Sequence, residues 1–168
     1  LPICKDSFSG VLVYDDAGPA KRPGLVMVPN WRGVNDSAVT KAKQLAGDDY
    51  VVLVADVYGK GIRPKNDTEA GAQAKTLRDD RPTMQARALK AVDVLKAQAG
   101  KAPLDASRIG AFGFCMGGTT VLELARSGSQ PEVRGVVSFH GGLERRGPVA
   151  ERIATPVLVL NGARDTGE

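Results

Sequence analysis

Two cysteines in 168 residues cannot supply a disulfide framework to a domain of this size. That points to a reducing compartment or to indifference to redox state, and to a cytoplasmic location. Aromatic residues are also scarce, at 5%. Lysines and arginines are interleaved with carboxylates, as between Lys101 and Arg108, so the net charge of +4 describes a solvated basic surface. A nucleic-acid interface would need a basic stripe with interleaved aromatics, and none is present. No apolar run approaches the ~18 residues that cross a bilayer. No signal peptide is visible, and a start at Leu1 rather than Met allows for the removal of an N-terminal piece with any export signal. A single histidine, His140, limits what imidazole chemistry this segment can perform.

What is present is ordinary globular usage, 42% hydrophobic and 25% charged, with no repeat, low-complexity tract or linker. Residues 1–168 are therefore expected to form one domain, a monomer or homodimer. Short apolar runs alternate with amphipathic stretches. Strands are expected at 10–14, 25–28, 50–57, 108–114, 133–139 and 156–160. Between them, Asp36 can cap a helix that places Val39, Ala42 and Ala46 on one face, ending at Gly47. A Gly/Pro-punctuated loop follows from Gly59 to Asn66, then a short helix before Asp80. Pro82 opens a helix on which Met84, Ala88, Ala91, Leu95 and Ala99 recur at helical spacing before Gly100. Further helices are expected at 116–127 and, briefly, 148–153. Strand–helix alternation implies an α/β fold with a mostly parallel sheet and right-handed crossovers. The sheet reads as unfinished after its last strand.

In such sheets, reactive groups gather at the carboxyl ends of strands. Those ends are Asn30–Trp31, Asp56–Tyr58, Cys115–Met116, His140–Gly141 and 161–165. The sharpest motif among them is Gly113-Phe114-Cys115-Met116-Gly117-Gly118, between a strand and a helix. It has the form of a nucleophile elbow with cysteine at its apex. Side chains two positions either side of the apex would collide, and Gly113 and Gly117 remove them. Helix amides beneath Cys115 favour its thiolate, and the Met116 N–H points toward the same spot as an oxyanion donor. The competing reading is a buried, inert cysteine in a glycine-rich turn. The glycines do not spell G-x-G-x-x-G and no Walker lysine follows, which discounts phosphate-binding loops.

A hydrolase of this type needs an acid that orients a histidine, in the chain order nucleophile, acid, histidine. Asp165 follows the strand ending at Leu160 and fits that order; the alternative is an aspartate in a surface turn. Asp56 precedes the nucleophile and reads as a capping or structural residue. His140 precedes Asp165, so it is expected to line the pocket rather than to act as the base. The base is expected in a segment beyond Glu168.

The stretches Val28-Pro29-Asn30-Trp31-Arg32-Gly33, Ala55-Asp56-Val57-Tyr58-Gly59-Lys60-Gly61, the Cys115 elbow, Phe139-His140-Gly141-Gly142 and Leu160-Asn161-Gly162-Ala163-Arg164-Asp165 resemble the dienelactone hydrolase family. The resemblance implies an α/β-hydrolase three-layer sandwich and a Cys-His-Asp triad. It would make Cys115 the nucleophile, Asp165 the acid, and the amides of Trp31 and Met116 the oxyanion hole. No cofactor or metal is implied. Where well-known members carry a glutamate that holds the resting thiol, Asn30 stands here, and an amide cannot take the thiol proton. Direct pairing of Cys115 with the later histidine is the expectation that follows. Tyr58, Arg63 and His140 join Asn30 as expected pocket-lining residues; arginines hold the substrate carboxylate in the family, and the competing, favoured reading of Arg63 is an exposed loop arginine. The partner is then a small ester or lactone. The rival reading is a non-catalytic α/β binding module that lacks the base.

Overall fold

The computed structural model describes residues 7–17, 20–128, 132–146 and 149–164. Its centre is a sheet of six strands in the order β1-β3-β2-β4-β5-β6. The strands are β1 (Val11–Val13), β2 (Arg22–Val28), β3 (Val51–Val54), β4 (Leu104–Phe114), β5 (Val133–Phe139) and β6 (Val157–Leu160). Only β1 is antiparallel to its neighbour; every other pairing is parallel. Among the described residues four helices connect them: α1 (Asp36–Ala46), α2 (Asp67–Asp79), α3 (Arg81–Lys96) and α4 (Met116–Ser127).

Continuous apolar runs become strands because both faces of the sheet are covered. Alternate residues divide between two cores. Val26 and Val28 of β2 and Val51 and Leu53 of β3 join the cluster beneath α2, α3 and α4. Met27, Val52 and Val54 turn the other way, onto Ala38, Ala42 and Ala46 of α1. The expected bounds of α4 and β5 match the structure. Several other expectations change. Asn35, not Asp36, caps α1: its side chain accepts the Ala38 N–H at 2.9 Å, leaving Asp36 in the first turn. Strand β3 stops at Val54 rather than Val57, because the Asp56 carboxylate accepts the N–H groups of Tyr58 and Gly59 and turns the chain. The stretch before Asp80 forms a thirteen-residue helix, started by Asn66, which accepts the Glu69 N–H. Helix α3 ends at Lys96, so Ala99 lies beyond it. Residues 149–153 form no helix; Ala150 instead donates its N–H to the Arg126 carbonyl at the end of α4. Among the described residues no helix is long and apolar enough to cross a membrane.

One charge is sealed between α3 and α4. Glu123 is fully buried, accepts from Gln85 at 2.9 Å and Arg126 at 2.7 Å, and lies 3.6 Å from the buried Arg81 guanidinium. Glu123→Ala removes the counter-charge and leaves Arg81 unpaired in the interior. A loss of about 3–5 kcal/mol is expected for breaking such a pair from one side. Urea unfolding should show it as a lower midpoint at unchanged slope.

Candidate active site

Strands β2, β4 and β5 end side by side, and the elbow is wedged between them. A Cβ on Gly113 would stand 2.2 Å from the Gly117 carbonyl oxygen. One on Gly117 would stand 2.2 Å from the Val28 oxygen and 2.4 Å from that of Pro29. The first turn of α4 therefore sits directly on the end of β2, an approach only glycine permits. Between these glycines Cys115 has φ 55° and ψ −119°, a left-handed conformation that costs a non-glycine residue of order 1–3 kcal/mol. Two backbone bonds help to hold it: the Cys115 N–H donates to Phe139 at 2.8 Å, and its carbonyl accepts the Thr119 N–H at 3.1 Å. The thiol makes no capping bond to α4 and is half-buried. Its position at the head of a twelve-residue helix exposes it to the helix's positive end.

Cys115 opens onto a cavity of about 320 Å³ on the α1 side of the strand ends. Phe114 and Phe139, stacked at 5.0 Å, form an apolar wall, with Asn30 and His140 at the mouth. Among the described residues His140 is the second non-glycine residue with positive φ, at 56°, and its N–H donates to the Leu160 carbonyl at the end of β6. Cys115 and His140 thus both take positive φ where adjacent strands end. Asn30 differs from what a thiol-holding group would do. It is exposed, and its side-chain oxygen accepts the Arg32 N–H at 3.1 Å in a local turn.

Two expected pocket residues lie elsewhere. Arg63 does not line this cavity. Its guanidinium pairs with Asp56 at 3.3 Å and donates to the carbonyls of Ser9 and Ile62 at 2.9 and 2.8 Å. A carboxylate already inside the fold captured it, which the loop sequence did not reveal. Tyr58 is likewise absent from the cavity wall. It is buried, with its hydroxyl donating to the Trp31 carbonyl at 2.8 Å. Burial foremost, then the negative charge of the nearby Cys115 thiolate, pushes the Tyr58 phenol above its usual range, while Arg78 opposes the rise. Asp165 lies outside the described residues. Sequence reasoning missed Ser37 and Lys41, which line the cavity from α1. Their spacing of four, on the face that carries Ala38, was the available signal. Lys41 places its ammonium 4.5 Å from the centre of the Phe114 ring, bringing positive charge to the wall beside the thiol.

Helices on both faces of a mostly parallel sheet, with a strained residue on a strand-to-helix turn at its carboxyl edge, define the α/β-hydrolase fold. The model of the dienelactone hydrolase family matches residues 8–167, and the chain belongs to that family. It is 41% identical to the solved structure described as m3DLH, covering 95% of this chain and 65% of that one, with a TM-score of 0.83. A dienelactone hydrolase-like promiscuous phosphotriesterase from metagenomic libraries is 36% identical, over 96% of this chain and 66% of its own, with a TM-score of 0.84. A Bradyrhizobium protein, a probable 2-oxo-3-(5-oxofuran-2-ylidene)propanoate lactonase, is 30% identical over 80% of this chain and 52% of its own length. The chain thus spans about half to two thirds of these relatives.

Proposed function

We propose that the protein hydrolyses esters and lactones through a covalent Cys115 thioester. The observation that carries this reading is the strained, glycine-flanked placement of Cys115 at the head of α4, open to a cavity of ligand size. In the mechanism, the Cys115 thiolate adds to the substrate carbonyl carbon. The carbonyl oxygen takes the negative charge and receives hydrogen bonds from the Met116 and Trp31 amides. The C–O bond to the leaving group then breaks; the alkoxide takes a proton and departs, or remains tethered when a lactone ring has opened. Water next attacks the thioester, giving the carboxylic acid and restoring the thiol. Asp165 orients the triad histidine that the family order places after it. The names of the lactonase and phosphotriesterase relatives support small lactones and, as a side activity, phosphotriesters; arylesters follow from the same thiolate attack on an activated carbonyl.

The first half-reaction is a direct test. Mixed with p-nitrophenyl acetate, the protein should release a burst of p-nitrophenolate and carry an acetyl group on the peptide containing Cys115. Prior iodoacetamide should abolish both. An acetyl group on another residue, or a burst indifferent to iodoacetamide, would reject the assignment and leave the non-catalytic module as the better reading.

A further inference from the structure

Tyr58 does not line the cavity, yet it grips the loop that carries one of the two proposed oxyanion donors. That loop, 30–33, is a tight turn closed by the Gly33 N–H donating to the Asn30 carbonyl at 2.9 Å. The Asn30 carbonyl and the Trp31 N–H belong to one planar trans peptide and point in opposite directions. Once the carbonyl is committed inward to Gly33, the Trp31 N–H must face outward from the turn. The next peptide unit is fixed by Tyr58, whose hydroxyl donates to the Trp31 carbonyl at 2.8 Å. The same ring supports the turn from below. Gly33 has φ +69°, and a Cβ there would come within 3.0 Å of the Tyr58 ring. Both peptide planes that bracket Trp31 are therefore held.

Tyr58 is itself anchored at both ends of its backbone. Its N–H donates to Asp56 at 3.1 Å and its carbonyl accepts from Arg87 at 3.3 Å. Asp56 is braced in turn by Arg63 and by the Ser9 N–H at 2.9 Å. We infer that Tyr58 is a positioning residue that holds the Trp31 amide at the oxyanion site, with Asp56 and Arg63 as its buttress. This rests on the covalent mechanism proposed above. It also explains why Arg63, the arginine of the loop after β3, is spent inside the fold rather than on substrate. The upward-shifted phenol keeps its proton through the neutral and alkaline range, so the bond to Trp31 is not titrated away there.

The test separates two reactions of one sulfur. Acylation by p-nitrophenyl acetate passes through an oxyanion; alkylation by iodoacetamide is a displacement at saturated carbon and forms none. Loss of a whole oxyanion donor costs about 10²–10³ in rate, so a loosened one should cost about 10- to 100-fold. Tyr58→Phe keeps the ring and removes the hydroxyl. Its first-turnover acylation should fall by that factor while alkylation of Cys115 changes by less than about twofold across the pH profile. Trp31 is the sole tryptophan, so acrylamide quenching of its fluorescence should increase in the same variant. Should Tyr58→Phe be too unstable to assay, Arg63→Gln loosens the same buttress from its outer end and should again slow acylation alone. Unchanged acylation, or acylation and alkylation falling in parallel, overturns the inference. A wild-type protein alkylated but never acylated at Cys115 removes the covalent mechanism, and this inference with it.

Discussion

Replacing Cys115 by alanine is expected to bring ester turnover to background, a loss of about three to six orders of magnitude, as for other nucleophiles that act as one unit with their base. The fold should survive. The Cys115 side chain makes no capping bond to α4, and two of the bonds that hold the residue run through its backbone N–H and carbonyl, which alanine retains. Alanine has the same Cβ in the same left-handed conformation, so the cost already present in the wild type is neither added nor relieved. Thermal unfolding should therefore move little while kcat disappears and substrate binding persists. Cys115→Ser keeps an oxygen nucleophile but loses the thiolate's readiness to form near neutral pH, and should remain at least about 10²-fold impaired. Because the chain has two cysteines, Cys4→Ala is the natural control and should leave activity unchanged. Full arylesterase activity in Cys115→Ala would mean that the covalent route runs through another residue.

How far a sequence declares such a site depends on whether the constraint is local. The elbow was legible because its demands fall within five residues: a strand must end, a helix must begin, and no side chain fits at Gly113 or Gly117. The bounds of α4 and β5 were legible for the same reason. The fate of Arg63 was not, because it depends on Asp56 seven positions away folding back into range and on the Ser9 carbonyl arriving from the segment before β1. Nor was the end of β3. Val57 is as apolar as Val54, and only the side-chain bonds of Asp56 turn the chain before it. Nor did the sequence reveal that residues 149–153 stay non-helical, with the Ala150 N–H donating to the Arg126 carbonyl. Lys41 was not singled out from the sequence; it lines the cavity because the stacked rings of Phe114 and Phe139 from two separate strands bring the wall to it. Spacing along α1 reports which face a residue occupies, but not what the opposite wall contains.

The densest of these constraints yields the second large effect. Gly117→Ala should lower stability by about 3 kcal/mol or more and slow acylation of Cys115 at least about 10-fold, although alanine is the better helix former by roughly 1 kcal/mol. The reason lies in what the new methyl would meet. Its nearest neighbours are the backbone oxygens of Val28 and Pro29, at 2.2 and 2.4 Å, which have no flexible end to swing aside. Either α4 must lift from the sheet or the end of β2 must retreat. Lifting α4 displaces Met116 and its amide; moving β2 displaces Asn30 and Trp31, the next residues along. Each escape separates the two proposed oxyanion donors, so stability and acylation should fall together. Gly71→Ala supplies the contrast. It too places alanine within a helix, but its Cβ would find the Trp31 ring at 3.7 Å, an ordinary contact. That variant should be neutral or slightly stabilising and should acylate normally. If Gly117→Ala behaved like Gly71→Ala in denaturant midpoint and burst rate, α4 would not be seated on β2 as described, and the oxyanion site built on that contact would have to be abandoned.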